Sequence, residues 1–241
     1  MSDPTTASPD TSSNKVDLQL RFRSESEKNQ LQLIPELLSA GDAGLEVLME
    51  FLQAHQSTPP NAVVGSAYQA LYNANSSTAT EFLQTHFPTG VVPLNSERGL
   101  DYRPLQQLLA QQDFQESDRL TLQKLCELAG PEALQRKWLY FTEVESLPIT
   151  DLRTLNNLWL VHSEGKFGFS IQQELWLSVG KNWEKLWSKI GWKQGNTWTR
   201  YPHEFIWNLT APKGHLPLSN QLRGVRVISS LLAHPAWSKD Q

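Results

Sequence analysis

The sequence lacks what most function classes need. One cysteine, Cys126, stands among 241 residues, so no internal disulfide can form and nothing points to an oxidising compartment. No stretch approaches the roughly 20 apolar residues that span a bilayer. Positive charge is scarce: 21 Lys and Arg face 25 Asp and Glu, a net charge of −4 and a pI near 5.9. Phosphate neutralisation needs clustered cations, so no nucleic-acid partner is expected. Met1 to Asn14 is small and polar, without the apolar segment of a signal peptide. The expectation is a cytoplasmic protein with no transmembrane segment, a composition that still allows peripheral membrane association. Gly-rich phosphate loops, Gly-x-Ser-x-Gly elbows and HExxH motifs are missing, so neither an enzyme nor a metal centre is expected. His162, His203, His215 and His234 have no ligand spacing, and Cys126 lies on an apolar helix face without a basic neighbour to activate it.

What the sequence does have is tryptophan. There are nine, eight of them between Trp138 and Trp207. That concentration builds either a heavy core or a surface that stacks on something flat.

Hydrophobic spacing gives an all-α fold, an N-terminal helical bundle followed by a larger helical core with a long aromatic loop. Residues 1–14, rich in Ser, Thr, Asp and Pro, read as a disordered tail. Residues 15–87 read as the bundle: Leu31, Ile34, Leu37 and Leu38 repeat at helical spacing up to Gly41, and helices are expected over 43–55, 63–72 and 77–87. The composition shifts at Pro88, where an irregular connector leads into a core domain over 88–241. There Asp113 is placed to cap a helix ending at Gly130-Pro131, and Asp151 to cap the next. Ser170 and Gln173 have capping-box spacing, and Asn182 precedes a Trp183, Leu186, Trp187, Ile190 stripe. The acidic set Asp113, Glu116, Asp118 and Glu127 reads as caps and solvated helix surface. Periodicity vanishes from Trp192 to Pro217, and a last helix is expected from about Leu218 to Ala233, packed through Leu222, Val225, Ser229 and Leu232.

Two features carry possible chemistry. On that last helix Asn220, Arg223 and Arg226 fall at i, i+3 and i+6 and share a face. A fork of two guanidiniums suits bidentate carboxylate recognition, and it equally suits a solvated face paired with Asp and Glu. In the aperiodic stretch, Trp198, Tyr201, Phe205 and Trp207 crowd into ten residues. They could wall a flat apolar ligand or plug the core. A porphyrin with two propionates would answer both the rings and the arginines.

Several long strings, in one order, are familiar. KLCELAGP (Lys124 to Pro131), WLYFTEVE (Trp138 to Glu145), GKFGFSIQ (Gly165 to Gln172) and GHLPLSNQLRGVRV (Gly214 to Val227) resemble the genomes-uncoupled family, cyanobacterial type, over about Pro88 to Trp237. The resemblance implies a non-enzymatic protein that binds protoporphyrin IX and magnesium protoporphyrin IX. It implies association with the porphyrin-binding large subunit of magnesium chelatase and stimulation of magnesium insertion in chlorophyll biosynthesis. The family's binding groups fall on Trp198, Tyr201, Phe205, Asn220, Arg223 and Arg226. Some relatives carry Trp in place of Tyr201 and Arg in place of Leu122, which bears on affinity. A helical-repeat adaptor without ligand, and a haem-handling protein using His203 or His215, are the alternative readings.

Overall fold

The architecture is all-α, as a computed structural model that describes residues 9–218 and 225–238. Five helices come first: α1 (Pro9–Ser24), α2 (Glu27–Ser39), α3 (Asp42–Ala54), α4 (Ala62–Tyr72) and α5 (Ser77–His86). Side-chain oxygens start three of them, because the first N–H groups of a helix have no intrahelical acceptor: Ser26 accepts from Asn29, Asn61 from Val64 and Ser76 from Ala79. Their apolar stripes close around Phe22, Leu37, Leu48, Phe51, Leu52, Val63, Ala67 and Leu71. The helix α1 begins at Pro9, inside the stretch 1–14 expected to be a disordered tail, and residues 1–8 lie outside the described residues. Proline suits that first position, where its missing N–H would have no partner anyway.

After the connector come α6 (Arg103–Ala110), α7 (Phe114–Ala129), α8 (Pro131–Arg136), α9 (Phe141–Val144), α10 (Ile149–Val161), α11 (Phe169–Ser178), α12 (Trp183–Lys189) and α13 (Arg226–Leu232). Asp113 caps α7 by accepting from Glu116 at 3.1 Å, and Asn182 caps α12 by accepting from Lys185 at 3.0 Å. Around Leu105, Phe114, Leu152, Leu155, Trp159, Phe167 and Phe169 these helices bury a second core.

Two expected caps have other work. Asp151 lies inside α10 and is fully buried. Its carboxylate accepts from the Tyr102 hydroxyl at 2.8 Å, the Glu97 N–H at 2.9 Å and the Ser96 hydroxyl, and so ties the connector to α10. Ser170 also lies two residues too far in: α11 starts at Phe169 behind the cap Gly168, and the Ser170 N–H is satisfied by Asn156 at 2.9 Å.

The two groups of helices pack closely where α4 meets α10. Gly65 of α4 lies so close to α10 that a Cβ there would stand 1.9 Å from the Val161 carbonyl oxygen. One turn on, Gln69 is buried and donates to the carbonyls of Leu109 at 2.8 Å and His162 at 2.9 Å. Ala110 of α6 packs with the N-terminal core rather than its own.

The last helix ends where expected, with Ala233 as its C-cap, but differs at its start. Leu218 is buried and not helical, and α13 begins only at Arg226. Its packing face is Val227, Ile228, Leu231 and Leu232, while Val225 is exposed and Ser229 half-buried. Leu232 packs as expected, whereas Val227, Ile228 and Leu231 take the places expected of Val225 and Ser229. Leu222, Asn220 and Arg223 lie outside the described residues.

Candidate functional site

The stretch from Trp192 to Pro217 is more ordered than its lack of periodicity suggests. It opens with a two-stranded hairpin, β1 (Lys193–Gln194) on β2 (Thr197–Trp198), turned by Gly195-Asn196. Gly195 takes the positive φ of 58° that such a two-residue turn requires of its first residue. The return limb is stitched down. Gly214 N–H donates to Lys166 O at 2.8 Å, Gln172 donates to the carbonyls of Gly214 and Pro217, and the Lys166 ammonium bonds the Leu209 carbonyl. What projects is the tip from Trp198 to Glu204.

The rings divide into two sets. Trp198, 41% exposed, sits 5.8 Å from Trp187 at the end of a run of indoles. In that run Trp176, Trp183, Trp187 and Trp192 are stacked at centroid spacings of 4.8, 5.2 and 5.4 Å. Tyr201, 47% exposed, stands edge-on to Trp207 at 5.8 Å, and both lean on Phe205. Phe205 is 5% exposed and packs on His215 at 5.1 Å. Of the three expected ligand rings, then, Trp198 and Tyr201 face solvent, whereas Phe205 is buried beneath Tyr201.

His215 is committed to the scaffold. Its Nδ1 lies 2.6 Å from the Ile190 carbonyl and its Nε2 accepts from the Ile206 N–H at 3.2 Å, which fixes Nδ1 as the protonated nitrogen. Burial also holds its pKa below the usual histidine value. Both nitrogens are spent, so this ring has no lone pair for an axial iron. His203 is exposed on the loop. Among the described residues no cluster of three or more His, Cys, Asp or Glu could hold a metal ion. Cys126 is buried, and burial pushes its thiol up to about 11.

Arg226, at the start of α13, is exposed and lies over the Phe141 ring of α9 at 5.5 Å. That is within cation–π reach. Asn220 and Arg223 lie outside the described residues.

Leu218 is held by a residue that sequence reasoning misplaced. Asp118 is not surface: it is 4% exposed and accepts the Leu218 N–H at 2.6 Å. Phe114, Asp118, Thr121 and Leu125 follow helical spacing and are all buried, so the signal was there in the period of α7. Desolvation pushes the Asp118 carboxyl up to about 7. The charges of Asp118, Glu116 and Arg119 all act on the Tyr201 phenol, which places Tyr201 at the same corner. Leu122, one turn further on, packs at the edge of the core.

Two hollows lie elsewhere, at the seam between the helical groups. One of about 520 Å³ is lined by Tyr68, Tyr72, Phe87 and Arg103 among others, and one of about 740 Å³ by Pro59, Pro60, Val91 and Arg153 among others.

Comparison with known proteins decides the family. A profile described as GUN4-like matches residues 95–235, and a second, described as an ARM-like repeat domain at the GUN4 N-terminus, matches residues 7–88. The chain belongs to the GUN4-like family. A Ycf53-like protein of Synechocystis is 52% identical to this GUN4-like chain over 229 residues, 95% of this chain and 98% of the relative. A protein of Arabidopsis thaliana named tetrapyrrole-binding protein, chloroplastic, is 35% identical over 143 residues, 56% of this chain and 54% of that one. Two solved structures agree in fold. GUN4 from Chlamydomonas reinhardtii superposes with a TM-score of 0.58 at 43% identity, over 61% of this chain and 95% of that chain. Ligand-free Arabidopsis thaliana GUN4 gives 0.54 at 34%, over 60% and 99%. Among the described residues no helix is long and apolar enough to cross a membrane.

Proposed function

We propose that this GUN4-like chain binds protoporphyrin IX and magnesium protoporphyrin IX, and that it delivers or presents them to magnesium chelatase as a stimulator rather than as an enzyme. The porphyrin-binding large subunit of that enzyme is the proposed partner. The observation that carries the reading is its kinship with the Arabidopsis tetrapyrrole-binding protein, joined to two exposed rings, Trp198 and Tyr201, braced from below by buried aromatics. Flat macrocycles need rigid aromatic walls and a few charged groups that fix their orientation. Arg223 and Arg226 are the charged groups proposed for the propionates, Asn220 a further polar contact, and Phe205 the support of the wall.

The test is titration of protoporphyrin IX into wild type, Arg223→Ala and Arg226→Ala, followed by Trp fluorescence and the Soret band. Losing a partly shielded charge-assisted hydrogen bond costs about 1.5–3 kcal/mol, so each variant should bind about 10- to 100-fold more weakly. A porphyrin whose propionates are esterified should lose little further affinity to either substitution. Chelatase stimulation at limiting porphyrin should fall with binding. Wild-type protein that leaves the porphyrin spectrum unchanged would refute the reading in favour of a ligand-free adaptor.

A further inference from the structure

A buried hydroxyl at the seam between the two groups of helices has no partner. Tyr68 of α4 is 6% exposed, and its ring is held beside Tyr72 at 5.9 Å and His162 at 6.1 Å. Buried phenols usually find a hydrogen-bond partner. Among the described residues nothing bonds this one. Burial pushes its pKa up to about 12, so near neutral pH it is a protonated donor. Nor is the residue sealed in the core: Tyr68 lines the crevice of about 520 Å³ that opens between α4, α5 and α6.

The rest of the crevice has the make-up of a ligand site. Its volume falls within the range of small-molecule pockets. Leu83 and Phe87 give it a buried apolar floor, with the half-open Tyr72 ring as a side wall. The facing wall is rigid. The buried Gln106 side chain donates to the Thr89 carbonyl and accepts the Val92 N–H at 2.8 Å. Gly90 lies so close that a Cβ there would stand 2.3 Å from the Gln106 amide carbon. At the mouth stands one charged residue, Arg103, with its side chain 62% exposed. Asp101 takes its Nε and Nη2. Nη1, and the Gln84 and Gln107 amides at the same mouth, make no hydrogen bond among the described residues. None of the described residues lining the crevice carries a carboxylate.

We propose that this crevice is a second ligand site, for a small aromatic carboxylate that carries a hydroxyl or carbonyl oxygen at its far end. The flat body lies along Tyr72, Leu83 and Phe87. The far oxygen accepts the Tyr68 O–H. The carboxylate stays at the mouth against Arg103 Nη1, where water still reaches it and little desolvation is required. The site is separate from the aromatic loop, since no residue of 192–217 lines it. Its walls come from both groups of helices, α4 and α5 on one side and α6 on the other, so an occupant ties the two together.

The experiment titrates para-coumarate into the full-length chain by calorimetry and follows the melting temperature. Cinnamate is the analogue without the far oxygen, and para-coumaramide the analogue without charge. Wild type should bind para-coumarate and melt higher in its presence. Tyr68→Phe keeps the buried ring; it should weaken para-coumarate about tenfold, the loss expected of one buried hydrogen bond, and leave cinnamate unchanged. Arg103→Gln, at an exposed position, should weaken both carboxylates several-fold and leave the amide unchanged. Tyr201→Ala and Arg226→Ala should leave all three unchanged. The proposal is overturned if wild type does not bind para-coumarate at millimolar concentration, because the crevice then holds only water. It is equally overturned if binding is lost in Tyr201→Ala or Arg226→Ala but kept in both seam variants, which would put the carboxylate at the aromatic loop. Should Tyr68→Phe fail to fold, an Arg103→Gln protein that binds para-coumarate as tightly as wild type overturns it instead. Porphyrin enters none of these measurements, so their outcome is independent of the function proposed above.

Discussion

Gly65→Ala is a severe perturbation for a substitution that an isolated helix would welcome. In an open helix alanine is favoured over glycine by about 1 kcal/mol. Here the new methyl carbon would fall 1.9 Å from the Val161 carbonyl oxygen, 2.6 Å from its carbon and 2.7 Å from Cγ1. Two of those three atoms are backbone of α10 and cannot rotate away. Reaching an ordinary contact requires α4 and α10 to part by roughly 1.5 Å, the kind of overpacking that costs about 1–3 kcal/mol. The same displacement breaks the Gln69 bond to the His162 carbonyl that ends α10, at 2.9 Å and worth about 0.5–1.5 kcal/mol net. Against the propensity gain, the expected loss is about 1–3 kcal/mol, read as a lower urea midpoint by circular dichroism. Gln69→Ala should cost less on top of Gly65→Ala than it costs alone, since the clash has already broken one of its two bonds, and that non-additivity identifies the mechanism. A Gly65→Ala protein as stable as wild type, or more so, would mean that the two groups of helices do not pack this closely in solution.

A fragment from about Pro88 onward should fold and still bind porphyrin, with a lower melting temperature, because it keeps the second core but bares the face of α10 under Gly65; a helical fragment that does not bind would move the site onto the seam. Acid should destabilise the protein through His162. It is fully buried and its pKa is depressed to about 3, so the neutral form is favoured by folding. Its contribution is complete above the unfolded value near 6.5 and is lost as pH falls below that toward the folded value. The stability advantage of wild type over His162→Gln should shrink by about 2–3 kcal/mol between about pH 7 and pH 4.5, at 1.36 kcal/mol per unit. Parallel denaturation curves at the two pH values would show that His162 ionises without unfolding.

The parts of this protein that follow from period and punctuation were legible in its sequence. Apolar spacing and capping oxygens at Asn61, Ser76, Asp113 and Asn182 give most helices, since these effects are local. Tertiary partners were not legible. Asp151 reads as a cap until Tyr102 and the connector are seen to converge on it. The hairpin at Gly195-Asn196 was missed, because each strand is two residues long and has no period to announce it, although a Gly-Asn dipeptide is a known two-residue turn signal. In the site, aromatic density pointed at the right stretch without separating a presented ring, Tyr201, from a supporting one, Phe205; only burial does that. Asp118 was overlooked because acidic residues on helices are usually solvated, although Phe114, Thr121 and Leu125 mark the face it shares.

The column of indoles has an optical consequence. Trp176, Trp183, Trp187 and Trp192 stand close enough for an excited state to pass from one to the next, and Trp198 lies beside Trp187 at the solvent end. Ultraviolet light absorbed deep in α11 and α12 is therefore pooled before it is emitted. An acceptor pigment resting against Trp198 would drain the whole pool, so one contact at the loop darkens rings that never meet the ligand. The protein carries its own antenna for reporting occupancy, and replacing Trp183, which lies between Trp176 and Trp187, would weaken the link from Trp176 to the reporter while leaving the ring beside Trp198 in place.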